Sequence, residues 1–312
     1  MLFLIGACAL VGCNSGSASP PHADVLPSSF TITAGASMNM EAMQAMRFYP
    51  SALTVDVGDT VTWKFPTGEP HTVTLLGPAP SLPAPSDPAA SAPAGGSAYD
   101  GTVFTSSGFR LLGQTYSLTF AKPGTYTFYC TIHGGMTGTI TVQPTGTPYP
   151  ASNATAVAGA PAAEATDLAL GTSALAQFPY TIGGPHLAAG MAPGLATGMP
   201  SVTTIMRFLD GPDVTATSVT VHAGDTVTWT NQSNNSPHTV TVAPVGAPFP
   251  TLSPFSPPSG GNVYDGSTLV NSGVIAPGQS FALKFTKAGT YTYHCIFHDD
   301  TENMIGTVVV LP

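Results

Sequence analysis

One arrangement of metal-ligand residue types is written twice in this chain: His71, Cys130, His133 and Met136, then His238, Cys295, His298 and Met304. In each copy the first His lies far upstream of a Cys-x2-His pair. Those donors meet only if the chain between them folds back on itself, so the pattern demands two compact units. The surroundings repeat too. Met46-Arg47-Phe48 recurs as Met206-Arg207-Phe208, and Gly58-Asp59-Thr60-Val61-Thr62-Trp63 as Gly224-Asp225-Thr226-Val227-Thr228-Trp229. His71-Thr72-Val73-Thr74 recurs as His238-Thr239-Val240-Thr241, and Tyr99-Asp100-Gly101 as Tyr264-Asp265-Gly266. This is a duplicated domain.

Each set offers two imidazoles, one thiolate and one thioether, with no hard oxygen donor. That mixture selects a copper ion cycling between Cu(I) and Cu(II), one per domain. A metal saturated by protein donors has no open position for a substrate, so the predicted chemistry is single-electron transfer.

Within the repeats apolar residues recur with period two, as in Leu53, Val55 and Val57 or Val219 and Val221, and Gly-Asp, Pro-Gly and Gly-Gly pairs punctuate the runs. No stretch inside a repeat sustains helical periodicity, so short strands in a two-sheet antiparallel sandwich are expected. Trp63, Phe65, Tyr126 and Phe128 are predicted to fill much of the first core. On a strand, Tyr126, Phe128 and Cys130 share a face, as do Tyr291, Tyr293 and Cys295, which turns each thiol inward. Pro/Ala/Ser-rich insertions at 77–96 and 243–261 are expected to run over the surface, either simply solvated or shaping a docking face near the metal.

Both repeats resemble the cupredoxins, the blue-copper family of plastocyanin, amicyanin and halocyanin, over about 46–143 and 200–312. The resemblance is carried by His71-Thr72-Val73 with Tyr129-Cys130-Thr131-Ile132-His133-Gly134-Gly135-Met136, and by His238-Thr239-Val240 with His294-Cys295-Ile296-Phe297-His298 and Met304. It implies an all-β fold of two tandem cupredoxin-like antiparallel Greek-key β-sandwiches joined by an Ala/Pro/Gly-rich linker. It also implies two type 1 copper ions, each with a weak axial Met. The loop imidazole, His133 or His298, is then the edge through which electrons pass, reaching a mostly apolar patch where a redox partner docks. The first loop has the short Cys-x2-His-x2-Met form of amicyanins. The second places five residues between His298 and Met304, one more than plastocyanins usually have, and leaves Glu302 as a competing donor.

The expected organisation is a signal peptide over 1–13, a flexible tether over 14–40, the first domain over 41–143, a linker over 144–199 and the second domain over 200–312. Leu10-Val11-Gly12-Cys13 resembles the lipobox of bacterial lipoproteins, which implies an exported, extracytoplasmic protein lipid-anchored at Cys13, in the periplasm or on the outer face of the cell membrane. With Cys8 and Cys13 in the signal segment, Cys130 and Cys295 are left as ligands and no disulfide is expected. Lys+Arg 7 against Asp+Glu 16 gives a net charge of -9, which disfavours a nucleic-acid partner. Asp299, Asp300 and Glu302 form an acidic collar after His298, suited to a basic redox protein such as a c-type cytochrome, or to a membrane oxidoreductase.

Two other readings compete. A two-domain multicopper reductase or oxidase, nitrite-reductase-like, is suggested by His294 beside Cys295, but such enzymes need further His-x-His pairs, and the eight histidines here supply none. His22 and His186 fall in tethers and His222 near a turn, so His294 is expected to be an exposed strand residue. Copper storage or delivery is suggested by Met38, Met40, Met43, Met46, Met191 and Met199, although Met46 and Met206 at strand starts suit packing.

Overall fold

The computed structural model describes residues 26–38, 43–84, 87–177, 186–191, 203–205, 208, 218–231, 236–300 and 302–312. The expected signal segment with Cys13, and also His22, Met40, Met199 and the side chain of Met191, lie outside the described residues.

The first repeat runs through β1 (Ser29–Met38), β2 (Met43–Tyr49), β3 (Ala52–Asp56), β4 (Thr60–Lys64), β5 (Thr74–Leu75), the short helix α1 (Pro88–Ser91), β6 (Pro93–Ala94), β7 (Ala98–Tyr99), β8 (Thr105–Ser107), β9 (Thr115–Phe120), β10 (Gly124–Tyr129) and β11 (Thr137–Gln143). Two sheets form, ordered β2-β1-β4-β9-β7 and β3-β11-β10-β5-β8-β6. After helix α2 (Ala151–Gln177) come β12 (His186–Met191), β13 (Thr203–Ile205), β14 (Ser218–His222), β15 (Thr226–Asn231), β16 (Thr241–Val242), β17 (Val263–Tyr264), β18 (Val270–Asn271), β19 (Ser280–Phe285), β20 (Gly289–His294) and β21 (Ile305–Leu311). The second pair of sheets is β12-β15-β19-β17 and β14-β21-β20-β16-β18. The result is two Greek-key β-sandwiches in tandem. Both keep parallel pairings among the antiparallel ladders, β1 with β4, β3 with β11 and β7 with β9, then β12 with β15, β14 with β21 and β17 with β19.

The period-two pattern explains the strands. Val61 and Trp63 on β4 are buried while Lys64 faces out, and Val227 and Trp229 repeat this on β15. Equivalent aromatic triads fill the cores. Phe128 meets Phe48 at 4.7 Å and Trp63 at 5.2 Å, and Tyr293 meets Phe208 at 4.6 Å and Trp229 at 5.0 Å, all edge-on. Burying each such side chain is worth about 2–3 kcal/mol. Tyr126, expected in the core, is only partly buried at its margin. The turn after β3 needs Gly58 at φ 97°, its twin Gly224 sits at φ 101°, and Asp59 and Asp225 accept a backbone N–H across each turn.

Two expected tethers are ordered over much of their length. Residues 29–38, assigned to the 14–40 tether, are β1, with Ile32 and Ala34 fully buried; small Thr, Ala and Ser side chains hid the alternation. Within the 144–199 linker lies α2, a helix of 27 residues. Alanine has the highest helix propensity, and its small side chain lets a helix lie close on a sheet, so an Ala-rich run of low charge suits a docked helix as well as a linker. Ala160, Ala163 and Leu168 pack on Ala36, Ala45 and Tyr49. Asp167 accepts a hydrogen bond from the Tyr49 hydroxyl at 2.6 Å and pairs with Arg47 at 3.2 Å. His186, expected in the linker, opens β12, which supplies the second sandwich with its counterpart of β1. The two halves are also joined through a sheet, since β13 pairs antiparallel with β2. Among the described residues no helix is long and apolar enough to cross a membrane.

Candidate metal centres

The first histidine of each set is pinned through its backbone. His71 N–H donates to the Arg110 carbonyl at 3.1 Å and the Arg110 N–H returns a bond at 2.8 Å; His238 and Ile275 repeat the pair at 3.1 and 2.7 Å. Gly35, at φ 78° in the β1 bulge, gives the His71 ring room, since a Cβ there would lie 2.6 Å from Nε2. The cysteines follow directly on β10 and β20, where the inward face of each strand delivers the thiol to the rim of the core.

The two ligand loops differ in length but close by the same bonds. Cys130 N–H donates to the Met136 carbonyl at 2.9 Å and Met136 N–H to the His133 carbonyl at 3.1 Å. Cys295 donates to Met304 at 3.1 Å and Met304 to His298 at 2.9 Å. In each loop the residue before Met is left-handed, Gly135 at φ 84° and Asn303 at φ 54°. Asparagine is one of the few side chains that tolerate this region, which lets the longer loop return Met304 to the same place. Met136 and Met304 are both buried in the cores beside the cysteines.

The donors converge. Cys130 Sγ lies 3.3 Å from His133 Nδ1 and 3.9 Å from His71 Nδ1, and the two Nδ1 atoms are 3.1 Å apart. In the second site Cys295 Sγ lies 3.2 Å from His298 Nδ1 and 3.7 Å from His238 Nδ1. Three donors around a trigonal ion, each about 2 Å from it, stand about 3.5 Å from one another, so both pockets fit one metal. Thr72 and Thr239 donate their backbone N–H to the sulfurs at 3.4 and 3.3 Å, and their hydroxyls accept from the N–H of Thr131 and Ile296 at 2.8 Å. Burial alone would raise the Cys130 thiol pKa, but the charge of His133 and the bonds from His133 and His71 outweigh it and hold the thiol well below its ordinary value.

The loop histidines do not face solvent. His133 and His298 are 1% and 0% exposed, and their outer Nε2 atoms meet the same carboxylate: His133 lies 2.7 Å from Glu69 Oε1 and His298 2.7 Å from Glu69 Oε2. Glu69, itself 2% exposed, belongs to the first sandwich, whereas His298 belongs to the second. Burial pushes its pKa up, but the His298 charge and the bonds from both imidazoles prevail and hold the carboxyl far below the usual range. Burial depresses His133 while the Cys130 thiolate and Glu69 outweigh it, raising its pKa to about 10, and His298 is raised well above its ordinary value in the same way.

The expected docking patch is therefore covered by the sister domain. Phe109 stacks on Phe255 at 6.2 Å and Phe255 meets Phe297 edge-on at 5.4 Å, beside a cleft of about 580 Å³ lined by residues of both domains, among them Glu69, Pro70, Leu112 and Pro237. The insertions shape this face: Phe255 comes from one, and Ala90 of the other accepts a bond from the Thr131 hydroxyl at 3.0 Å. The acidic collar does not form as a unit. Glu302 is fully buried and stands outside the donor cluster, Asp299 pairs with His294 Nδ1 at 3.2 Å, and Asp300 alone is exposed. His294, expected to be exposed, is half-buried and stacks on Phe249 at 3.8 Å. Met43 and Met46 are core residues, as packing requires.

Glu69, Thr72 and Thr239 are the site residues the sequence reading missed. The threonines stood in a repeated tetrapeptide without a role. Glu69 carried a different signal, a lone charge two residues before a ligand, where the otherwise matching Ser236-Pro237-His238 has Ser.

Among the described residues, two buried groups could hold a metal ion, His71 with Cys130 and His133, and His238 with Cys295 and His298. Residues 34–143 and 213–311 match the family described as copper binding proteins, plastocyanin/azurin family. A plastocyanin of Scenedesmus fuscus is 36% identical over 94 residues, covering 30% of this chain and 81% of that protein. One of Solanum tuberosum is 32% identical over 101 residues, covering 32% and 90%. Among solved structures, the amicyanin of Paracoccus versutus is 19% identical with a TM-score of 0.25, over 37% of this chain and 81% of that one. With one match in each sandwich, together spanning more than half its length, the chain belongs to the plastocyanin/azurin family of copper-binding proteins.

Proposed function

We propose that the chain is an electron-transfer protein carrying two type 1 copper centres, one per domain. The carrying observation is that each domain gathers one thiol and two imidazole nitrogens within 4.8 Å of one another, all on buried residues. His71, Cys130 and His133 would hold the first ion with Met136 as the weak axial donor, and His238, Cys295 and His298 the second with Met304. Bound copper supplies a one-electron couple. The residues supply rigidity: reciprocal backbone bonds fix the first histidine, the Cys-to-Met and Met-to-His bonds fix the loop, and the Thr72 and Thr239 N–H groups stabilise thiolate charge. A scaffold set in advance lowers the rearrangement between oxidation states.

Metal analysis with visible spectroscopy tests this. Copper-loaded protein should hold two ions per chain and show an intense thiolate charge-transfer band, of which Cys130→Ser and Cys295→Ser each remove about half, one site's share of two. A copper-replete chain without that band would reject the reading. The function extends to exchange with extracytoplasmic redox proteins from a lipid anchor at Cys13. Support comes from the Leu10-Val11-Gly12-Cys13 tetrapeptide and the acidic net charge. The mass of the N-terminal peptide from native membranes checks the anchor: an unmodified Cys13 would remove it.

A further inference from the structure

Glu69 touches both candidate centres at once. Each of its oxygens lies 2.7 Å from one imidazole Nε2, the first on His133 and the second on His298. Those nitrogens are not the metal-facing ones, because Nδ1 of each ring is turned to its cysteine at 3.3 and 3.2 Å. A histidine that binds metal through one nitrogen carries a proton on the other and gives it to an acceptor, and a carboxylate there strengthens the ligand and favours the more positive metal state. Ordinarily one carboxylate serves one histidine. Here one serves two, from two domains, in a contact only 2% exposed. The second repeat has Ser236 in the matching place, so the bridge is a single asymmetric feature and no by-product of duplication.

We propose that Glu69 is a shared positioning residue that joins the two metal-binding sites into one coupled unit through His133 and His298, so that the charge state of either is felt by the other. The inference rests on the copper reading above. Its physical basis is that a buried chain of two charge-assisted contacts polarises as a whole. When one centre gains positive charge, its imidazole draws on the carboxylate more strongly and leaves less stabilisation for the other. The coupling is reciprocal, as any linkage between two sites is.

The test is a redox titration of the copper-loaded full chain, read in the visible, with each centre isolated in the Cys295→Ser and Cys130→Ser backgrounds. Glu69→Gln should keep the charge-transfer bands and raise the midpoint potentials of both centres, because the charge it removes stabilised the oxidised state of each. Glu69→Asp, which keeps the charge, should recover most of the shift. A shift at one centre only, or at neither, overturns the proposal while leaving the copper reading intact. Absence of the band from wild-type protein overturns both. A measurement without substitution guards against a variant that merely opens the interface. In the diamagnetic Cu(I) protein, the Nε2 protons of His133 and His298 should be visible by NMR and protected from solvent exchange. Rapid exchange of either would rule out the bridge.

Discussion

At the scale of single residues, the duplicated sites are held by small features that recur in both copies. Gly138 on β11 lies opposite Phe128 on β10, and Gly306 lies opposite Tyr293; in each case a Cβ would overlap the aromatic ring. The ring lies across the glycine and seals the core directly behind the ligand loop. Gly306→Ala is therefore expected to cost about 1–3 kcal/mol by overpacking, read as a lower thermal midpoint with a perturbed second band. Asn303 gives a contrasting prediction. Because its φ of 54° is one glycine adopts freely, Asn303→Gly should hold the visible spectrum, whereas Asn303→Val should cost about 1–2 kcal/mol and distort the second centre alone. Equal effects of both substitutions would show that backbone conformation is not what this position supplies.

Elements matter where polar and small residues disguise order. Helix α2 docks through small apolar side chains, Ala160, Ala163 and Leu168, and is anchored by a buried carboxylate that serves Tyr49 and Arg47. Removing it as Asp167→Ala leaves the Tyr49 hydroxyl without that acceptor and should cost about 2–3 kcal/mol, measured by chemical denaturation. A second consequence is resistance to proteolysis: cleavage within 151–173 of the native chain should be slow, and Asp167→Ala should accelerate it. Rapid cutting of the wild type there would mean that the helix is not docked. The Pro/Ala/Ser insertions follow the same logic. Their composition excludes a sheet interior, yet they supply Phe249 and Phe255 to the face around the second centre.

For the whole molecule, the decisive feature is that the two loop-histidine faces meet each other. Phe255→Asp should place a charge in the aromatic contact with Phe109 and Phe297, separate the sandwiches and raise the radius of gyration seen by X-ray scattering. An unchanged radius would argue for a stronger junction through β13 and β2. In copper-free protein the Glu69 bridge also has a pH signature. Its lowered folded pKa means that its stabilisation is complete above the unfolded value of about 4.3 and is lost as pH falls toward the folded one. His133, raised to about 10 when folded, contributes fully below its unfolded value of about 6.5 and loses that contribution as pH rises through 10. The stability difference between wild type and Glu69→Gln should therefore be greatest between about pH 4.3 and 6.5. A pH-independent difference would show that the contact is not ionic.

The six His and Cys positions that the fold gathers, the duplication and the all-β class were legible in the chain alone, because donor softness, period-two alternation and a repeated Cys-x2-His are local properties of residue type and spacing. Even the longer second loop carried its solution in Asn303, though only the dihedral angle displays it. What tertiary structure decided is which surface meets which. Residues 29–38 and 151–177 read as tethers because Ala, Thr and Ser declare neither strand nor helix until a neighbouring surface selects one. Glu69 is the sharpest case. Next to a prolyl-histidine it is one acid among 16, and its place between His133 and His298 arises only when two separately folded domains bury it together, a long-range encounter no local pattern encodes.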